Sequence, residues 1–257
     1  MIKLLQAQMR IIGAIGVREI NAQQANLMYG YVWALVDAAL AVLGLLVMKL
    51  VLRAFNPPGL PAATFILSGA LPWFMWMALY ASPAMSISRN RKLLSFPIVT
   101  ELDLIIGGSL QVVITYTVVL VFMTAISSWW EVVPPPRFPL GLLLLMLAIW
   151  AMGLSFGMFL MLVNRIYAPA AKFIAFFLRF ALFLCGVYIP ITKFPSYIWP
   201  YLTWMPMLHV EELLRQYWFY NYVSPVGNPI YVLECVMGMI AVGLLCERYA
   251  RVRLPIP

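Results

Sequence analysis

One segment of the chain combines charges with an apolar centre in a way that suits binding to another protein. Residues 88–103 read Ser-Arg-Asn-Arg-Lys-Leu-Leu-Ser-Phe-Pro-Ile-Val-Thr-Glu-Leu-Asp. A short amphipathic helix with an apolar knob and a charged rim can dock into a groove on a partner. Positive charge at a membrane surface would explain the cations alone, but not the knob or the carboxylates that follow it. The candidate docking residues are Arg89, Arg91, Lys92, Leu93, Leu94, Phe96, Glu101 and Asp103.

A second pattern places cations and aromatic rings on one face of a helix. Lys172, Phe176, Arg179 and Phe183 follow helical spacing. Arg179 lies about 10 Å along the helix from Lys172, too deep to be a simple headgroup contact. Such a face suits an anionic glycan, because sugars stack on rings while cations bind carboxylates or phosphates. The alternative is a snorkelling cation that forms an ion pair, for which Asp37 is the candidate partner.

Further aromatic residues in apolar stretches either line the same substrate path or form a belt at the membrane interface. Asp37 either lines the path or forms an ion pair with a cation. The additional candidates for the path are Asp37, Trp33, Trp73, Trp76 and Tyr188.

Residues 191–228 are rich in Trp and Tyr and are interrupted repeatedly by Pro. This composition predicts two short helices that dip back into the outer leaflet, the second over Met207–Tyr220 with Glu211, Glu212 and Arg215 on its polar face. Irregular backbone is tolerated at that depth only where protein buries it or a cavity adjoins it. Tyr197, Trp199, Tyr201 and Trp204 are candidates for an interfacial anchor. If the protein exports a substrate, as the resemblance described below implies, the same four residues are candidates for a gate at the exit.

No catalytic or metal site is expected. His209 is the one histidine of the chain, and the neighbouring Glu211 and Glu212 diverge on a helix, which makes a weak ligand set. The three cysteines have neither zinc-ligand nor disulfide spacing.

Membrane helices must carry all of these residues. Charged residues make up 10% of the 257 positions and the mean hydropathy is +0.93, which excludes an ordinary soluble domain. About 20 apolar residues cross a hydrocarbon core of about 30 Å. Six stretches reach that length, at 31–52, 64–87, 104–126, 140–163, 173–190 and 230–246. The sequence therefore predicts an all-α polytopic membrane protein with one domain over residues 1–257.

The net charge of +8 is informative through its distribution. Cations cluster before the first span, in alternate loops and after the last span, which predicts that both termini are cytoplasmic. Residues 1–28 predict an amphipathic helix on the membrane surface, and a disordered basic tail is the alternative. The positive charge reflects topology and attraction to lipid headgroups, so no nucleic-acid partner is indicated.

The chain resembles the permease subunit of ABC-2 exporters, in particular the capsular polysaccharide (KpsM-type) branch. The resemblance rests on the helix ending in Arg18-Glu19, on six spans, on Asn90-Arg-Lys-Leu-Leu-Ser-Phe-Pro97 followed by Asp103, and on the Pro-broken aromatic stretch. Many relatives carry an Arg-Asp pair after the fourth span. Here that position reads Asn164-Arg165-Ile166, which bears on the branch rather than on the superfamily.

The resemblance implies a homodimer in the bacterial inner membrane, joined to two separate ATPase subunits that bind ATP and Mg²⁺. Residues 88–103 would be the coupling loop, and the substrate would be a lipid-linked, anionic polysaccharide. A periplasm-spanning co-polymerase-type protein and an outer-membrane export protein would be envelope partners. The sequence contains no Gly-Lys dipeptide and so lacks the G-x-x-x-x-G-K-[ST] phosphate loop. The chain by itself is therefore not expected to be an enzyme.

Two alternatives stay open at this point. The same fold could export O-antigen, teichoic acid or a small drug. A membrane enzyme acting on lipids would present clustered Asp, His or Arg at the membrane surface. This sequence offers a single histidine and no repeated acidic motif, which disfavours the enzyme.

Overall fold

The architecture comes from a computed structural model of the chain. It describes residues 2–24, 36, 40–45, 47–48, 51, 62–96, 98–129 and 135–254. Most of the first predicted span, including Trp33 and Asp37, lies outside the described residues.

Within the described ranges the chain is helical and contains no strand, which confirms the all-α prediction. The helices are α1 Ile2–Gln24, α2 Ala62–Arg89, α3 Glu101–Trp129, α4 Pro139–Ile166, α5 Ala168–Leu184, α6 Trp199–Leu202, α7 Pro206–Trp218 and α8 Pro229–Arg253. Two 3-10 turns, Arg91–Ser95 and Ile191–Lys193, lie between them.

Four helices are long and apolar enough to cross a membrane. They are Phe65–Arg89 of α2, Glu101–Ala125 of α3, Pro139–Ile166 (all of α4) and Pro229–Arg253 (all of α8). These four confirm the second, third, fourth and sixth predicted spans.

The helix of the fifth predicted span, α5, is 17 residues long and ends before the predicted limit of residue 190. The cause is Gly186, whose φ of +79° lies in the left-handed region. A glycine in this conformation directly after a helix caps its last carbonyls and turns the chain away.

α4 is the centre of the bundle and packs against α2 on one side and α8 on the other. Gly153 and Gly157 are four residues apart on one face of α4, and they allow a close approach to α2. A Cβ atom on Gly153 would lie 2.7 Å from the Leu79 side chain, and one on Gly157 would lie 2.6 Å from the Tyr80 carbonyl oxygen. α3 packs on α2, and α1 lies along α3 with Ile15 and Gly16 buried against Gly107.

α7 is buried among α2, α4 and α8. Its bounds agree closely with the helix predicted over Met207–Tyr220. Its polar side chains Glu211, Glu212 and Arg215 are all 0% exposed, so the face that carries them is turned into the protein.

Candidate functional site

The 88–103 segment connects α2 to α3, and a reciprocal cap fixes its end. The Thr100 backbone N–H donates to Asp103 Oδ2 at 2.8 Å, and the Asp103 N–H donates to Thr100 Oγ1 at 3.3 Å. This is a capping box, with Asp in place of the usual Glu. It determines where α3 begins and holds the Asp103 carboxylate inside the turn.

α1 holds both ends of the 88–103 segment. At the far end, Gln8 Nε2 donates to both carboxylate oxygens of Asp103 at 2.6 Å. At the near end, buried Glu19 accepts a hydrogen bond from Asn90 Nδ2 and forms an ion pair with Arg89 Nη1 at 3.3 Å. Movement of the 88–103 segment must therefore either move α1 or break these contacts.

Arg165 ties the same segment to two further helices. Its Nη2 lies 2.6 Å from Glu101 Oε2, and its Nη1 donates to the Leu254 carbonyl oxygen at 3.3 Å. The start of α3, the end of α4 and the residue that follows α8 are thus joined at one guanidinium group.

The docking residues predicted from the sequence fall into two sets. Glu101 and Asp103 are 7% and 2% exposed and are bonded internally, so they position the segment. Arg91 and Lys92 are exposed, and Phe96 is 56% exposed. Leu93 and Leu94 are half-buried, and Leu94 packs on an apolar cluster around Ile87 and Ile105.

Ile98, which the sequence analysis did not single out, is 69% exposed. Together with Phe96 it makes an apolar surface flanked by cations at one end of the bundle. Gln8, Asn90 and Arg165 were also missed as supporting residues. Only the Thr100-x-x-Asp103 spacing offered a sequence signal for this arrangement.

The predicted cation and aromatic face lies on the outside of α5 in the single chain. Lys172 and Arg179 are exposed, and Phe176 is 54% exposed. Phe183 is half-buried, with its ring 5.5 Å from the Tyr188 ring. This surface is open to whatever adjoins α5.

Trp73, Trp76 and Tyr188 lie in the core behind α5, not on that surface. The Trp73 and Trp76 rings are 5.1 Å apart, and Trp76 also contacts Phe156 of α4 at 5.9 Å. The first contact lies within α2, and the second packs α2 against α4.

Three of the four predicted gate residues are strongly exposed at the opposite end of the bundle. Tyr197, Tyr201 and Trp204 are 72%, 77% and 80% exposed. Trp199 is half-buried, and its Nε1 donates to the Phe194 carbonyl oxygen at 3.0 Å.

Arg215 forms the centre of a buried polar cluster on α7. It donates to the Gly186 carbonyl oxygen at 2.8 Å, lies 3.3 Å from Glu212 Oε1 and covers the Phe65 ring at 3.9 Å. Glu212 also accepts the hydroxyl of Tyr222 at 2.6 Å.

Glu211 differs from its neighbour Glu212, because no described residue donates a hydrogen bond to either of its carboxylate oxygens. Burial raises the pKa of Glu211 well above its ordinary value. The nearby Arg215 opposes this shift only in part, and the negative charge of Glu212 adds to it.

His209 has both ring nitrogens engaged by the backbone. The Asn228 N–H donates to Nδ1 at 3.3 Å, so Nε2 carries the proton that it shares with the Thr203 carbonyl oxygen at 2.8 Å. Across the described residues no three His, Cys, Asp or Glu side chains are grouped as metal ligands.

No protein-family model matches the chain. The chain is 30% identical over 243 residues to the capsule polysaccharide export inner-membrane protein CtrC of Neisseria meningitidis serogroup A, covering 93% of this chain and 91% of CtrC. It is 24% identical to the polysialic acid transport protein KpsM of Escherichia coli, covering 95% and 94% of the two chains. It is 25% identical to the capsule polysaccharide export inner-membrane protein BexB of Haemophilus influenzae, covering 94% and 91%. The similarity therefore extends over nearly the whole length of each protein.

Proposed function

The chain belongs to the family of capsule polysaccharide export inner-membrane proteins, and on that basis we propose that two copies form the membrane pathway of an ATP-driven exporter. The chain is the permease subunit of a capsular polysaccharide ABC exporter and a multi-pass inner-membrane protein. Its cargo is a lipid-linked, anionic polysaccharide.

The 88–103 segment docks on a separate ATPase subunit, one for each copy of the permease. The single observation that carries this assignment is the exposure of Phe96 and Ile98 beside Arg91 and Lys92. An apolar knob with a charged rim suits a groove on a partner. ATP and Mg²⁺ bind in that partner. Conformational changes driven by ATP hydrolysis therefore reach the permease through this contact.

The proposed topology has six spans with both termini in the cytoplasm. The distribution of cations supports it, since the ends that carry α1, the 88–103 segment and Arg251 are the positive ones. The interface helix is α1, within residues 1–28, and the whole of 1–257 is one membrane domain. The segment 191–228 enters the outer leaflet without crossing it, which the burial of α7 inside the protein supports.

The substrate path runs along the outer surface of α5, between the two copies. Exposed Lys172 and Arg179 meet the acidic groups of the glycan, and Phe176 offers a ring for sugar stacking. The other residues proposed for the path are Phe183, Trp33 and Asp37, with Trp73, Trp76 and Tyr188 as the wall behind it. These three side chains are buried in the single chain, so they meet the cargo only if the helices that cover them move.

Tyr197, Trp199, Tyr201 and Trp204 close the exit between transport events. The exposure of three of these rings at the outer end supports this role. Beyond the exit, the polymer passes to a periplasm-spanning co-polymerase-type protein and an outer-membrane export protein.

The docking proposal is tested by co-purification of the ATPase with Phe96→Asp. A carboxylate in the centre of the apolar knob should abolish association while membrane insertion is unchanged. Val223→Asp is the matched control, because Val223 is 82% exposed at the other end of the bundle. Equal recovery of the ATPase with both variants would refute docking through this surface.

A further inference from the structure

A cavity of about 270 Å³ opens between the ends of α2 and α4, beside the 88–103 segment. Its polar lining consists of Ser88, Arg91, Asn164 and Arg165, and its floor includes Ile87 and Met161. None of the lining residues is acidic. The cavity is therefore rich in hydrogen-bond donors and positively charged, with an apolar base.

On the α4 side of the cavity, the charged lining residue is held in place by contacts within the protein. The Arg165 side chain is 14% exposed and is held by Glu101 and the Leu254 carbonyl oxygen. Nη2 of Arg165 also contacts Met161 Sδ at 3.8 Å. A guanidinium group has five N–H donors, so these three contacts leave Arg165 able to donate to a ligand while its position is fixed. Arg91 approaches from the 3-10 turn, and Ser88 and Asn164 add a hydroxyl and an amide.

The position of the cavity relative to the membrane indicates which kind of anion can reach it. The candidate membrane span of α2 ends at Arg89, and that of α4 ends at Ile166. The cavity beside these two helix ends therefore lies where both helices leave the apolar layer. Phospholipid phosphates lie at this depth, and basic pockets between membrane helices bind anionic headgroups. The floor of Ile87 and Met161 suits the first carbons of an acyl chain.

We propose that this cavity binds the phosphate group of an anionic phospholipid, which bridges Arg91 of the 88–103 segment and Arg165 of α4. The lipid would then be a further tie between the segment and the bundle, beside those made by Glu19, Gln8 and Glu101. The choice of leaflet rests on the proposed topology, whereas the cavity and its chemistry do not. The proposal is also independent of ATPase docking, because the full chain alone is enough to test it.

The first experiment measures phosphatidylglycerol retained by the purified full chain, using native mass spectrometry after exchange against phosphatidylcholine. Arg91→Gln should lower retention about tenfold, the size expected when one hydrogen bond to a charged group is lost. Ser88→Glu should lower retention by at least as much, because it places a carboxylate beside the bound phosphate. Lys92→Gln is the matched control, since it removes the same charge from the adjacent residue outside the cavity. Equal retention by Arg91→Gln, Ser88→Glu and Lys92→Gln would overturn the proposal.

The second experiment separates the lipid from free phosphate. Inorganic phosphate is titrated into the lipid-depleted chain and into Arg91→Gln, with ³¹P NMR as the readout. Binding of phosphatidylglycerol alone, or of both probes with the same dependence on Arg91, supports the lipid site. Arg91-dependent binding of inorganic phosphate together with unchanged lipid retention would make the cavity a site for soluble anions and overturn the lipid assignment.

Discussion

Replacing Arg215 by Met should be among the most damaging single changes to this fold. The substitution removes the partner of Glu212, the donor to the Gly186 carbonyl oxygen and the cation over Phe65, all in a site with 0% exposure. Met fills much of the same volume, so the main effect is a buried carboxylate left without its cation. Breaking a buried pair in this way costs about 3–5 kcal/mol.

That cost is measurable as a loss of thermal stability. A change of 1 kcal/mol moves the Tm of a chain of this size by about 2–4 °C, so Arg215→Met should lower Tm by about 6–20 °C. Fluorescence-detected size exclusion after heating in detergent gives the value. Arg137→Met is the control, because the exposed Arg137 side chain contacts the Tyr220 ring at 5.5 Å, and its backbone hydrogen bond to the Trp218 carbonyl oxygen does not depend on the side chain. Its cost should stay below about 1 kcal/mol.

The double variant Arg215→Met/Glu212→Gln tests whether the loss of stability comes from the unpaired charge of Glu212 or from lost packing around residue 215. If the stranded carboxylate dominates, neutralising it should recover a large part of the lost stability, since residues in direct contact do not behave additively. A Tm for Arg215→Met within about 2 °C of the Arg137→Met control, a difference of under 1 kcal/mol, would refute the reasoning.

Three further predictions concern other parts of the molecule. Because burial raises the pKa of Glu211, the folded protein keeps a proton that the unfolded chain loses above the ordinary carboxyl range. Stability should therefore fall as pH rises through and above that range, and Glu211→Gln should flatten a Tm series against pH and raise Tm near neutrality. Gly157→Ala would place a Cβ 2.6 Å from the Tyr80 carbonyl oxygen and should cost about 1–3 kcal/mol, whereas Gly238→Ala, with open space around it, should not destabilise. Arg179→Glu should stop export of an acidic glycan by reconstituted complexes while the ATPase still co-purifies, and undiminished export would contradict a path along α5.

The apolar spans could be predicted because their signal is local. α2, α3, α4 and α8 are each at least 25 residues long and predominantly apolar, which is enough to cross a bilayer. The end of α5 was missed because the apolar run continues beyond Gly186 to Pro190. Hydropathy does not register the backbone turn there, although a glycine at the end of such a run is itself a helix-stop signal.

The sequence did not show that Glu101 and Asp103 hold the 88–103 segment internally while Arg91 and Phe96 are exposed on its surface. All four belong to one short stretch, but the partners that bury the carboxylates are far away in the chain. Gln8 is 95 positions from Asp103, and Arg165 is 64 positions from Glu101. Pairings over such distances depend on how whole helices pack, which a single sequence does not specify. The same limit applies to α7, whose polar face was visible in the sequence while its burial was not.

The burial of α7 also has a consequence for how the protein is made. α7 packs against α2 and α4, which precede it, and against α8, which is synthesised after it. In the proposed topology, α7 is on the outer side of the membrane before α8 has been inserted beside it. Chains released by the ribosome before residue 229 would lack the α8 side of this packing, whereas Gly186, Phe65 and Tyr222, which contact the Arg215–Glu212 pair, would already be present. α8 thus completes the packing around α7, so the polar helix reaches its final environment only after the chain has been made almost to its end.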